Sequence, residues 1–467
     1  MVSERIQPQR EPDTTDTKAS ATKHRPVMAW TVTFMLLGCT LISYLDKAIL
    51  GLVAQPAMAD LGLTAAEFGA IASAGGLLGP VAALLFAFVA DRLPLKGTLF
   101  TLVVVWSLFQ LPIFFVASGG LLLATRLMLG AMDAPALPIS HAVAYSWWPN
   151  DRRGLPAAVL TTGASFGKLI FAPPLAFIIA AYSWQAGFLA VAILGFVWGL
   201  AWLFIGRVGP YGKAETETAT TQGPGEQGTT EQGTTEQGAG SRAPVRSILA
   251  TGTFIGYVAA STAAQMLGVV VLTWLPSYFQ VGLGFSAVTA GSLFGVPSIA
   301  AMLFLYLNGG LGDRMIRRGT PTRKARGLWG GVLLALGGVF LVVLPLASGV
   351  VLPIALLMMG YGLAISIYAV ANPALAQITP VAQRTSVLLI GLAANHFLAA
   401  AGPWITGFIL DDARSAGTLA QGYTSVFMLM GGIAIVGGAL FALLVNPERD
   451  AAKVEAARLA RAAAQAA

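Results

Sequence analysis

The sequence predicts an all-α membrane protein of twelve transmembrane helices, arranged as two pseudo-symmetric six-helix bundles. Three observations lead there. The 467 residues are 56% hydrophobic and only 10% charged, with a mean hydropathy of +0.73, where a soluble globular chain carries about 25% charged residues. Twelve apolar runs each approach or exceed the roughly 20 residues that a helix needs to cross about 30 Å of hydrocarbon. A polar stretch over residues 209–243 divides those runs six and six. The runs must be helical, because in lipid each segment has to satisfy its own backbone groups.

The spans fall at 28–57, 67–90, 98–117, 121–146, 155–181, 184–206, 248–280, 285–310, 327–347, 350–377, 386–410 and 423–445. Ahead of them, residues 1–27 hold Pro, Thr, Lys and Glu and little to bury, so they are read as a disordered cytoplasmic tail. They lack the apolar core and cleavage site of a signal peptide. Spans one to six form an N-terminal bundle, 28–207. Residues 208–247 form a flexible cytoplasmic linker, since the repeat EQGTTEQGTTEQG offers nothing to a core. Spans seven to twelve form a C-terminal bundle, 248–446, and 447–467 a second cytoplasmic tail.

Orientation follows from Lys and Arg in the connections. With the N-terminus in the cytoplasm, 24 of the 28 Lys and Arg lie on cytoplasmic segments, Arg414 alone lies on an outer loop, and Lys47, Arg126 and Lys168 lie inside spans. The net charge of +7 is therefore anchorage against the anionic inner leaflet of the bilayer, not a nucleic-acid surface. The single cysteine, Cys39, excludes an internal disulfide and a multi-Cys metal site. His24, His141 and His396 show no metal-ligand spacing. No Walker-type loop supports ATP drive, and no nucleophile–base set suggests an enzyme. No cofactor is expected.

The fourth span carries the sharpest signal. Residues 121–147 are apolar enough to cross the bilayer yet contain Arg126 and Asp133. An ion at bilayer depth costs roughly 2.5–3.5 kcal/mol even on the mild insertion scale, so such residues face a protein interior and usually serve a function. Seven positions nearly close two helical turns, which puts both on one face about 10 Å apart. Asp46 and Lys47 lie in the outer half of span one, and Lys168 near the middle of span five. Adjacent residues point about 100° apart, so Lys47 is aimed at the cavity and Asp46 at another helix. Three cations and two carboxylates leave one positive charge, which a bound organic anion completes, since a buried uncompensated charge is expensive. Protonation of Asp46 or Asp133 raises that excess, so proton and anion binding support each other.

The two halves repeat each other. Asp91-Arg92 after span two and Asp313-Arg314 after span eight each have a further cation four residues beyond the arginine, Lys96 and Arg318. Asp133-Ala-Pro135 in span four echoes Asn372-Pro373 in span ten. Repeats of this kind build many transporters, with the site at their interface. The Asp-Arg loops resemble the loop motif of the major facilitator superfamily. Ser43-Tyr44-Leu45-Asp46-Lys47-Ala48 resembles the Asn-Tyr-Leu-Asp-Arg-Ala run of its anion:cation symporter family, which includes sialin and bacterial sugar-acid permeases. Arg126-x6-Asp133-Ala-Pro resembles that family's span-four motif, with Asp for the usual Glu. Trp274-Leu-Pro-Ser-Tyr278 resembles it as well. The resemblance implies carboxylate binding at Lys47 and Arg126, proton coupling at Asp46 and Asp133, and a multi-pass place in a bacterial inner membrane.

Further ligands are expected at Tyr44, Lys168, Gln265, Asn372 and Asn395, where amides at membrane depth can bond substrate hydroxyls. Helix-to-helix hydrogen bonding is the plainer role for the neutral groups, and reaching the cytoplasmic interface or neutralising Asp133 is the plainer role for Lys168. Arg126 with Asp133 as one structural ion pair, and Lys47 snorkelling to the headgroups, are the plainer roles for the charges. Asp91, Arg92, Asp313 and Arg314 are read as conformational latches, and Trp274 and Tyr278 as members of the outer aromatic belt. The whole is read as a monomeric carrier that takes up a small organic anion, such as a sugar acid, with protons. The alternatives are a proton antiporter or exporter of the same fold, or a solute sensor that does not transport.

Overall fold

The computed structural model describes residues 26–90, 93–148, 154–210, 243–380 and 383–466. Asp91 and Arg92, most of the leading tail and most of the linker lie outside them. Every regular element among the described residues is helical. The first half comprises α1 (Pro26–Leu61), α2 (Ala65–Ala90), α3 (Leu95–Phe115), α4 (Gly119–Tyr145), α5 (Gly154–Ala181) and α6 (Trp184–Ile205). The second comprises α7 (Gly252–Gly282), α8 (Ala287–Arg317), α9 (Arg323–Leu346) and α10 (Val351–Ile378). It continues with α11 (Arg384–Ala399 and Ala401–Ser415), α12 (Leu419–Leu444) and the polar α13 (Pro447–Ala466). Eleven of these helices are long and apolar enough to cross a membrane, and α5, 28 residues of the same character, completes the twelve.

Local chemistry sets the ends. Ser118, Ser183, Thr251 and Ser286 each accept the backbone N–H three residues on, at 3.1–3.2 Å, which satisfies donors that a helix start leaves free. Gly62, at φ +64°, supplies the left-handed turn between α1 and α2. Several second-half spans that read as continuous are interrupted. α7 is preceded by a separate one-turn helix, Val245–Leu249, and ends in a π-turn, Tyr278–Gly282, beyond Pro276. α10 breaks between Ile365 and Tyr368, and α11 at Ala400. The residues assigned to the second tail form α13. Its first turn holds the neighbouring helix starts: Glu448 accepts the backbone N–H groups of Thr322 and Arg323, and Asp450 accepts both the N–H and the hydroxyl of Thr253, each at 2.8 Å.

We call the face with the start of α1 and the end of α12 the basic face. Two apolar cores show how the halves meet. One lies in the first half alone, near the basic face, and joins Ala29–Ile42 of α1 to Leu99, Trp106, Val143 and Trp202. The other runs through the second half and takes in the first half toward the opposite face, where it joins Ile49, Val53, Phe68, Leu175 and Phe188 to Leu267, Trp274, Phe294 and Phe427. The halves are therefore fused toward the opposite face. The seam there is backbone against backbone. A Cβ on Gly69 would stand 2.2 Å from the Pro403 carbonyl, one on Gly407 2.3 Å from that of Ala65, and one on Gly51 2.3 Å from that of Leu272. Two polar clasps add to it. Asp411 of α11 accepts the N–H groups of Ala65 and Ala66 at the start of α2, both at 2.8 Å, and Gln55 donates to the Tyr423 hydroxyl at 3.0 Å.

Candidate functional site

Polar and charged side chains gather where the shared core gives way to the first-half core. Their position on α4 is fixed by a glycine crossing. A Cβ on Gly130 would sit 2.3 Å from the Gly75 carbonyl, and one on Gly75 2.9 Å from the Arg126 carbonyl. Only glycine lets α2 lie that close, and the crossing holds α4 with Arg126 and Asp133 turned toward α1.

Lys47 Nζ lies 2.6 Å from Asp133 Oδ2, and the Ser43 hydroxyl donates to the other carboxylate oxygen. The ammonium also stands over the Tyr44 ring, 4.6 Å from its centroid. Asp133 is buried, whereas the Lys47 side chain keeps 38% of its surface accessible. Arg126 is buried and does not pair with Asp133. Its Nη1 donates to the backbone carbonyl of Asp46 at 2.8 Å, its guanidinium lies 5.2 Å from the Phe188 ring, and its Nε and Nη2 have no hydrogen-bond partner among the described residues. Asp46 turns away from Lys47 toward α3, where Gln110 donates to Oδ1 at 2.6 Å and Oδ2 is left unpartnered. An orphaned donor or acceptor at this depth costs about 1–3 kcal/mol. This site therefore leaves two donors of Arg126 and one acceptor of Asp46 without a hydrogen-bond partner among the described residues.

The second half faces this group with neutral polar side chains. Lys168 is buried, and its Nζ reaches the Tyr361 hydroxyl across the interface at 3.4 Å, with the Tyr361 ring centroid 5.5 Å away. Tyr368 donates to Gln265 Oε1 at 3.2 Å and lies within electrostatic range of Tyr44 and Tyr361. Asn395 is buried, with its Nδ2 unpartnered and its Oδ1 2.7 Å from His396 Nδ1. His396 in turn is within electrostatic range of Lys47. Lys47, Tyr44, Lys168, Tyr361, Tyr368 and His396 thus stand near one another between the halves, and we call the region among them the chamber.

The structure does not draw the remaining candidates into it. Asn372 is exposed, and the carbonyl of Pro373 beside it takes Arg326 at 3.3 Å. Asp313 and Arg314 are exposed at the basic-face end of α8, with no ion pair among the described residues. Asp91 and Arg92 lie outside those residues. Trp274 and Tyr278 are not belt residues: both are buried. Trp274 donates to the Pro403 carbonyl at 3.2 Å and packs on Phe68, while Tyr278 packs on Phe427. The Trp274 N–H is served by protein and both rings are packed against protein, so neither needs a headgroup. Sequence reasoning passed over Ser43, Gln110, Tyr361 and Tyr368. Gln110, one amide in an otherwise apolar span, was the most legible. Among the described residues no group of three or more His, Cys, Asp or Glu is placed to hold a metal ion.

The model of the Major Facilitator Superfamily matches residues 36–372. The chain is 27% identical over 306 residues to a probable galactarate/D-glucarate transporter of Bacillus subtilis (strain 168), covering 64% of this chain and 67% of that one. It is 26% identical over 418 residues to a hexuronate transporter of the same organism, covering 87% and 92%. Among solved structures it is similar to a bacterial homologue of the human lysosomal transporter Spinster in an inward-facing, unoccupied conformation, with a TM-score of 0.71 at 16% identity over 91% of this chain and 98% of that one.

Proposed function

Because the chain belongs to the Major Facilitator Superfamily, we propose that it is a proton-coupled carrier that takes up a small organic anion of the sugar-acid class by alternating access. The two six-helix halves are the moving lobes, the basic face is the cytoplasmic one, and the membrane is a bacterial inner membrane. The seam closed on the opposite face supports reading this as the state open to the cytoplasm.

The observation that carries the reading is the Lys47–Asp133 pair. Lys47 is the most accessible cation of the chamber, and its partner is a carboxylate that a proton can discharge. With Asp133 ionised, the ammonium is occupied. With Asp133 protonated, Lys47 is free to bind a substrate carboxylate, next to the spare donors of Arg126. Each bound proton therefore favours the anion by Coulomb energy, and the coupling is reciprocal. Gln265, Asn395 and Tyr368 offer amide and hydroxyl groups to a hydroxylated carbon chain. The sugar-acid substrates named for the relatives fit this chemistry.

The test is uptake into proteoliposomes under an inward proton gradient, with radiolabelled sugar acids. Concentrative uptake that collapses with a protonophore is expected of the wild type. Equilibration alone, with no effect of the gradient, would overturn the coupling.

A further inference from the structure

Lys168 has no carboxylate partner among the described residues. Its side chain is buried, with 6% of the residue exposed, and the phenol of Tyr361 at 3.4 Å is its one hydrogen-bond partner among the described residues. Both carboxylates of the chamber are otherwise engaged. Asp133 takes Lys47 and Ser43, and Asp46 takes Gln110 beside Arg126. An ammonium withdrawn from water without a countercharge is among the costliest arrangements a fold can hold, and lysine has three donors to satisfy. The chamber thus has two separate cationic poles. At one, on α1 and α4, Lys47 stands over the Tyr44 ring and Arg126 has two idle donors. At the other, on α5 against α10, Lys168 stands over the Tyr361 ring.

We propose that the substrate is a dianion, a hydroxylated chain with a carboxylate at each end, whose second carboxylate docks on Lys168 and Tyr361. This rests on the reading of the chamber as an organic-anion site. Charge balance supports it. With Asp133 protonated, Lys47, Arg126 and Lys168 outweigh Asp46 by two charges. A dicarboxylate brings the loaded chamber to neutrality, whereas a monocarboxylate leaves one buried cation bare. The Tyr361 hydroxyl donates to the same carboxylate, and the amides of Gln265 and Asn395 meet the hydroxyls.

The experiment is binding to the purified full-length protein in nanodiscs at mildly acidic pH. Three matched pairs are used as probes: D-glucarate and D-gluconate, succinate and butyrate, phthalate and benzoate. The dianion is expected to bind at least tenfold tighter than its monoanion in one pair or more. Lys168→Met should collapse that ratio to within threefold, and Lys168→Arg should keep it. A wild-type ratio below threefold in every pair that binds overturns the proposal, whatever the folding of the variants, and leaves the organic-anion reading standing. A ratio in Lys168→Met within twofold of the wild type also overturns it. Binding of none of the six anions overturns both readings together.

Discussion

The Lys47 ammonium lies 2.6 Å from the Asp133 carboxylate, on the one cation of the chamber that keeps substantial access to solvent. Lys47 on α1 and Asp133 on α4 are thereby paired across the two helices that separate them in sequence, and in the proposed function Asp133 and the substrate compete for the ammonium. Asp133→Asn should leave Lys47 permanently free. Anion exchange between preloaded vesicles is expected to continue, while accumulation driven by a pH gradient falls at least tenfold. Normal concentrative uptake by the variant would remove Asp133 from the proton path.

Arg126 is held by the Asp46 carbonyl and by the crossing of Gly75 and Gly130. Arg126→Ala should weaken carboxylate binding at least a hundredfold. Arg126→Lys should recover little of it, because one ammonium cannot serve the Asp46 carbonyl and present two further aligned donors. Isothermal titration with a bound sugar acid reads both. Affinity within twofold of the wild type would make Arg126 a purely structural residue.

Gly130 has no room for a side chain, since a Cβ would stand 2.3 Å from the Gly75 carbonyl. Gly130→Ala must push α2 from α4, at a cost of about 1–3 kcal/mol. The expected outcome is a lower Tm in detergent together with weaker anion binding, because the shift moves Arg126 as well.

Asp411 caps α2 from the other half of the molecule. Losing an N-cap costs about 1 kcal/mol, and here the loss falls on the state closed at that face. Asp411→Ala should therefore raise the opposite-face-open population several-fold. Ala65→Cys is a fitting reporter, as Ala65 is buried in the seam and the native Cys39 is buried as well. Its labelling by an impermeant maleimide should quicken several-fold in the Asp411→Ala background. Equal rates would show that the cap does not bias the equilibrium.

Asp450 lies outside the membrane-crossing helices. Burial alone would raise its carboxyl, but hydrogen bonds from Arg449 and Thr253 outweigh that and hold it below the usual carboxylate range. A depressed folded value stabilises above the unfolded pKa of about 3.9 and is lost as pH falls through the folded one. Asp450→Asn should lower stability at pH 7 by about 1–3 kcal/mol. The gap to the wild type should narrow below about pH 4. A gap that stays constant down to pH 3 would contradict the linkage.

The fold was legible because its cause is one-dimensional: apolar length, polar linker and loop charge are all properties of contiguous stretches. The buried charges were equally visible, since Arg126, Asp133 and Lys168 interrupt runs that otherwise contain no ions. Which cation meets which carboxylate was not. Helical spacing puts Arg126 and Asp133 on one face, yet α1 passes close enough for Lys47 to take Asp133 and for the Asp46 carbonyl to take Arg126. Side-chain reach between helices decides that, and spacing within one helix says nothing of it. Trp274 and Tyr278 show the same limit, because an aromatic near a span's end reads alike whether it faces headgroups or a partner helix.

The glycine contacts between Gly69 and Pro403, Gly407 and Ala65, and Gly51 and Leu272 have a bearing on speed. Surfaces that touch main chain to main chain have no knobs to draw out of sockets and few rotamers to reset. Parting the glycine contacts alone would wet little hydrocarbon, but the shared core beside them, with Phe68 packed on Trp274, would have to part as well. In the proposed cycle, two small clasps, one at Asp411 and one at Gln55, would have to release together with that shared core.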